Sequence, residues 1–253
     1  MRRVLTALAI ASALAGAPAS ARAPTANDMF EQGAFLFNHQ RYHDALQCFK
    51  YSIQLDPTFW KPYQMAGETL NDLENSGEAI ELLTKAIELC PPNGELFYTR
   101  SNAYYCTGQL NNSIADMDRA CTLNPKNPHF FAKRGDFNTA AKRFDLALRD
   151  YNKAVDLSKT EHQENAAARN DMAALRASAH KDIGNVYRNQ GKYQLAVDQY
   201  TLALNAPEAT FHRDRVLADR ADCYEKLGKK DLAAADRKLV QHDSKGYLDD
   251  LMR

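Results

Sequence analysis

Residues 57–91 read PTFWKPYQMAGETLNDLENSGEAIELLTKAIELCP. A step of 34 residues carries Pro57 onto Pro91 and Pro125, Gly67 onto Ser101 and Gly135, and Ala79 onto Ser113 and Ala147. The same step backwards reaches Gly33 and Ala45. Large side chains recur in parallel at Phe49, Leu83, Met117 and Tyr151, each followed three residues later by a small one, Ser52, Ala86, Ala120 and Ala154. A fixed period of this length marks one supersecondary unit repeated along the chain. Four copies fill residues 26–161.

Within each copy, apolar residues recur at three- and four-residue spacing, which predicts two short amphipathic helices. Gly33 and Ala45 are placed on facing helices of one hairpin, where a larger side chain would push the axes beyond about 8–10 Å. Phe49 and its counterparts fill the space beside them. Pro57, Pro91 and Pro125 stop the second helix, because the ring removes a ladder donor and restricts the residue before it. Asn127-Pro128 reads as a cap and first-turn proline. Beyond residue 161 the pattern restarts at Gly184, Tyr187, Ala196, Tyr200 and Ala203, and more weakly at Ala221, Tyr224, Gly228 and Ala233. The sixth copy has Arg237 where a large apolar residue is usual, as befits a face that meets water.

In period, in its Gly, Ala, aromatic, Ala, Pro series and in its helix-turn-helix form, the sequence resembles the tetratricopeptide repeat family over residues 26–158 and 177–243. The resemblance implies an all-α fold, a right-handed α-solenoid of about six helix-turn-helix repeats. It also implies a concave groove lined by the first helix of each repeat, and a non-enzymatic role in protein-protein interaction. Repeats one to four take residues 26–161 and repeats five and six residues 177–247, after a short lead at 22–25.

Two segments depart from the template. Residues 162–176 hold six alanines and leucines at 166, 167, 168, 173, 174 and 175 and no Gly or Pro, so they are expected to be a helical insertion extending the first helix of repeat five. One long helix from about Glu161 to Asn189, opened by a Thr160-x-x-Gln163 capping box, is the expectation. Residues 248–253 are read as a tail or a short capping helix.

The N-terminus, Met-Arg-Arg followed by an apolar run from Val4 to Ala15 and then Ala19-Ser20-Ala21, has the three parts of a secretory signal peptide. The run is too short for a membrane-spanning helix, which needs about 20 residues, so cleavage after Ala21 and general secretion are expected, with no membrane span afterwards. The mature protein is then periplasmic in a Gram-negative bacterium and otherwise secreted. Lys plus Arg equals Asp plus Glu at 32 each, a balance that does not call for a nucleic-acid partner. The five cysteines lack the close spacing of a disulfide scaffold or a zinc knuckle.

No phosphate loop, nucleophile elbow, zinc-protease helix or paired cysteine ligands occur at workable spacing, so no cofactor is expected. His39, His43 and Asp44 form a weak candidate metal set against the plainer reading of an exposed turn. The expected site is the groove. By helical phase it draws Gln64 and Glu68 from copy two, Tyr98, Asn102 and Tyr105 from copy three, Asp136 from copy four, and Lys181, Asn185 and Arg188 from copy five. Asn102 and Asn185 share one register and can both donate to and accept from an extended peptide backbone. Tyr98 and Tyr105 add flat apolar area with a polar tip. Lys181 with Asn185 resembles half of the family's carboxylate clamp, but Asp219 and Asp222 stand where its other half is required. Charged pairs such as Glu68 with Asp72 are read as solvated helix faces. The partner is a protein or extended peptide. An adaptor in assembly of an envelope or secreted complex is the leading function, and a subunit that docks and modulates a separate enzyme the alternative.

Overall fold

The computed structural model describes residues 22–160, 166–206 and 213–251. These form twelve α-helices and no strands: α1 (Ala26–Asn38), α2 (Tyr42–Leu55), α3 (Trp60–Asp72), α4 (Ser76–Leu89), α5 (Gly94–Cys106) and α6 (Leu110–Leu123), then α7 (Pro128–Ala140), α8 (Phe144–Thr160), α9 (Ala166–Asn189), α10 (Tyr193–Leu204), α11 (Arg213–Lys226) and α12 (Lys230–Leu251). They pair into six hairpins. The first three belong to a compact unit ending at Leu123 and the other three to a unit beginning at Asn124.

Each hairpin crosses where the sequence places its small residues. A Cβ added at Gly33 would lie 2.5 Å from the Phe49 ring, at Gly67 2.6 Å from Leu83, at Gly135 2.7 Å from Tyr151 and at Gly184 2.6 Å from Tyr200. The large residue of the second helix thus lies flat on the first, in contact only a glycine permits. Ala45, Ala79, Ala147 and Ala196 are fully buried beside it. In copy three Ser101 replaces the glycine and the flexible Met117 the ring; the Ser101 hydroxyl is satisfied by donating to the Tyr98 carbonyl at 2.6 Å. Burying each large side chain is worth about 1.5–3 kcal/mol.

The hairpins turn through one left-handed residue at a constant place. Gln40, Glu74, Gly108, Lys142, Gly191 and Gly228 have φ of 59°, 60°, 74°, 57°, 71° and 74°. Three of these are not glycine, in a region that costs L-residues roughly 1–2 kcal/mol. Helix starts are capped where polar residues allow it. Thr25 and Asp28 form a reciprocal capping box, Asn93 accepts from the Glu95 amide, and Asn127 accepts from the His129 amide with Pro128 in the first turn.

Within each unit the hairpins stack. α3 packs on α2 and α5 on α4; in the second unit α9 packs on α8 and α11 on α10. First helices also touch one another, α1 with α3, α3 with α5, and α7 with α9, so they line the inner side of their units.

The departures from the template have physical consequences. Without a proline after copy four, α8 runs for 17 residues against 14 in α2, α4 and α6. Thr160, expected as a cap, is the last residue of α8. α9 is a single helix of 24 residues, about 36 Å long. Its N-terminal half is seated by Met172, which is buried, and by Arg176 Nη1, which donates to the Ser158 carbonyl at 2.9 Å. The start expected at Glu161 and the cap partner Gln163 lie outside the described residues, as does the segment 1–21. At the C-terminus residues 248–251 continue α12 instead of starting a helix of their own, and α12 passes through Gly246 unbroken. Among the described residues no helix is long and apolar enough to cross a membrane.

Candidate functional site

Three places on each first helix stand on the inner side: three residues before the small crossing residue, one after it, and four after it. In the first unit these are Gln64, Glu68 and Asn71 on α3 and Tyr98, Asn102 and Tyr105 on α5. In the second unit they include Asp136 on α7 and Lys181, Asn185 and Arg188 on α9. The nine expected residues therefore form two groups, one in each unit.

In the first unit, Gln64 Nε2 donates to Glu68 Oε1 at 2.8 Å. Burial raises the Glu68 carboxyl above the usual carboxylate range, opposed by the Gln64 hydrogen bond and aided by Asp72 and Glu95. Glu68 also bonds Thr99 of α5, so the two inner faces meet there. Tyr98 and Asn102 are half-buried and Tyr105 is 48% exposed. The Asn102 amide forms no hydrogen bond to another described residue, which leaves its donor and acceptor open to a bound backbone.

The second unit is arranged differently, and two expectations change. Asn185 shares the register of Asn102, but its Oδ1 accepts from the Tyr200 hydroxyl at 2.8 Å and its Nδ2 donates to Asp182 at 3.3 Å. Its amide is largely committed to the fold, because the second helix of copy five offers a tyrosine where copy three has Met117. Asp136 is held in the same way by the Tyr151 hydroxyl at 2.9 Å. Asp136 is exposed, yet the protein around its carboxyl and then Asp182 push it up to about 6. The charges here also pair: Lys181 with Asp182 at 3.3 Å, Arg188 with Asp219, and Arg237 with Asp222 at 3.2 Å. Asp219 and Asp222 are thus not the bare repulsive charges expected from sequence. The Lys181 half of a clamp is engaged by its own neighbour.

Another set of charges escaped the sequence reading. Arg100 binds Asp116 through Nε and Nη2, both at 2.8 Å; Arg134 binds Asp150 at 3.0 and 2.6 Å; Arg220 binds Asp236 at 2.8 and 2.7 Å. All three aspartates are buried. Each arginine directly precedes the crossing residue of the first helix, and each aspartate directly precedes the large residue of the second. Arg100 and Arg220 also donate to Thr84 and Thr201 on the second helix of the copy before, both at 2.9 Å. Copies one, two and five have Gln32 with Cys48, Ala66 with Leu82, and Ile183 with Gln199 at these places. Arginine and aspartate therefore occur together or not at all, and that joint pattern is the sequence signal that finds them.

Among the described residues no group of three His, Cys, Asp or Glu side chains is placed to hold a metal ion. His39 Nδ1 instead lies 2.8 Å from the Phe35 carbonyl, with its ring stacked 4.1 Å from Phe35.

Comparison with known proteins bears on this geometry. Residues 61–93 and 94–127 match the profile described as tetratricopeptide repeat. Anaphase-promoting complex subunit 3 of Schizosaccharomyces pombe is 24% identical over 196 residues, which is 70% of this chain and 30% of that protein. The chain thus spans under a third of that relative's length. Among solved structures, PilW, described as a widely conserved type IV pilus biogenesis factor, superposes with a TM-score of 0.67 at 16% identity, over 87% of this chain and 94% of that one. PilF of Pseudomonas aeruginosa gives 0.66 at 14% identity, over 87% and 92%. Likeness at that identity shows the fold. Residues 61–127 are tetratricopeptide repeats, and the helical hairpins on either side of them share the same fold.

Proposed function

We propose that this protein is a non-enzymatic adaptor that holds a segment of another protein against the inner faces of its first helices. The observation that carries the reading is the α5 surface: the uncommitted Asn102 amide with the Tyr98 ring four residues before it and the Tyr105 ring three residues after it. An amide can pair with any extended backbone, and tyrosine supplies contact area at small entropic cost. A protein of related fold, PilW, is described as a pilus biogenesis factor, and the reading places this chain likewise in assembly of an envelope or secreted complex. Residues 1–21 act as a cleaved export signal in this account, so the working protein begins at Arg22.

The test is affinity capture of the exported, tagged protein beside the double variant N102A/Y105A. Asn185 is left intact because it holds Tyr200. Loss of defined partners in the variant, with an unchanged melting temperature, is the expected result; equal capture by both forms defeats the reading. Mass spectrometry of the exported form should give Arg22 as its first residue, and an intact Met1 would remove the export signal from the account.

A further inference from the structure

One cleft of the first unit is separate from the inner-face residues. It opens where α4 ends, between the first turn of α5 and the last turns of α6, and holds about 120 Å3. Leu96 is its buried floor, Ile87 and Phe97 are half-buried walls, and Arg119 and Leu123 stand exposed at its rim. The repeat explains why the space is open. One copy earlier, Phe59 and Tyr63 hold the places of Asn93 and Phe97. The Phe59 ring packs 5.3 Å from Phe30, and the Tyr63 hydroxyl donates to the Pro57 carbonyl at 3.1 Å. Asn93 is shorter and caps α5 by accepting from the Glu95 amide at 3.0 Å, while Phe97 has no hydroxyl with which to reach the turn.

Two groups at the cleft are open to an outside partner. Arg119 holds the register of Lys85, which pairs with Glu88 at 2.9 Å. Thr122 stands in the place of that glutamate, and Arg119 forms no ion pair with a described residue. At the end of α4, Pro91 and Pro92 carry no N–H, so the Ile87 and Glu88 carbonyls receive no bond from the residues four further on. Helix carbonyls point toward the C-terminal end of their helix, here toward the turn that borders the cleft.

We infer that this cleft takes the C-terminal residue of a partner polypeptide, with an aliphatic side chain seated on Leu96 and the terminal carboxylate on Arg119. None of Tyr98, Asn102 and Tyr105 lines it, so the inference goes beyond the inner-face reading. Size selects the side chain. A cavity of about 150 Å3 holds one benzene, so 120 Å3 suits a single branched aliphatic group. Cofactor-sized ligands need about 300 Å3 or more. Charge selects the carboxylate, which a guanidinium binds through two parallel hydrogen bonds. The Ile87 carbonyl calls for an N–H, which the last residue of a polypeptide has and a free aliphatic acid lacks.

The test titrates the isotope-labelled full chain with the synthetic peptide acetyl-Gly-Ser-Gly-Leu and reads backbone amide shifts by NMR. Shifts at Cys90, Phe97 and Arg119 are expected, fading when the peptide ends in a carboxamide or in serine. R119Q should bind the peptide about tenfold more weakly and no longer distinguish carboxylate from carboxamide. K85Q, at the same register one copy earlier, should bind it as the parent does. Isocaproate has the side chain and the carboxylate without the N–H and should bind more weakly than the peptide; equal affinity would mark a site for free aliphatic acids and overturn the polypeptide occupant. No shift at these residues with millimolar peptide, or equal affinity in R119Q, overturns the inference altogether. The capture experiment with N102A/Y105A tests the inner faces and this titration tests the cleft, so failure of either leaves the other standing.

Discussion

Arg134 reaches across its hairpin to grip Asp150 with two guanidinium hydrogen bonds of 3.0 and 2.6 Å, and Asn138 Nδ2 adds a third donor to the same carboxylate at 2.9 Å. The pair fastens the first helix of copy four to the second at the level of the Gly135 crossing. Copies three and six repeat it with Arg100–Asp116 and Arg220–Asp236.

Removing one partner of such a buried pair leaves a charge with no counterion. D116A is expected to cost about 3–5 kcal/mol in chemical denaturation. Copy two of this same chain manages with Ala66 and Leu82 at those places, so R100A/D116L should recover most of the loss. A double variant as unstable as D116A would mean that the pair does more than fasten the hairpin.

Glycine at the crossing is tested by G135A. The new methyl group would lie 2.7 Å from the Tyr151 ring, which is stiff and bound to Asp136. A loss of about 1–3 kcal/mol is expected. G67A should cost less, because Leu83 can change rotamer. Equal melting temperatures for G135A and the parent would contradict the crossing geometry.

At the turns, E74G relieves a left-handed residue and should leave stability unchanged or raise it by up to about 1 kcal/mol, whereas G108A should lower it by about 1 kcal/mol. Thermal melts of the two variants check the signs, and the reverse order would refute the turn assignment.

Much of this was legible in the sequence, because sterics repeat with the backbone. The register of Gly33, Gly67, Gly135 and Gly184 is fixed by what lies over them, and a side chain excluded in one copy is excluded in the next. The pairings were not legible. Arg100 and Asp116 are far apart in sequence and resemble any charged helix face until both helices are in place. Asn102 and Asn185 look equivalent in their first helices; the difference between them lies in Met117 and Tyr200 on the opposite helices. Residues 248–253 were read as a tail or a short capping helix, yet α12 runs through Gly246 to Leu251, since one glycine costs only about 1 kcal/mol in a helix.

Asp136 provides a pH prediction. Its folded carboxyl is raised, from the ordinary value of 3.8 to about 6, so the folded state binds the proton more tightly than the unfolded one. That contribution is complete below pH 3.8 and is lost as pH rises through about 6. The melting temperature of the parent should therefore fall relative to D136N across that interval and hold a constant offset above it. Parallel profiles would show that Asp136 is not perturbed.

The central claim is that a partner lies on the first helices, and site-specific photo-crosslinking reads this directly. A photoreactive residue placed at Asn102 on the inner face of α5, and in a second protein at Leu195, which is 45% exposed on the second helix α10, would be irradiated with the captured partner present. The account predicts a crosslinked partner from position 102 and none from position 195. Crosslinking from position 195 alone would contradict it.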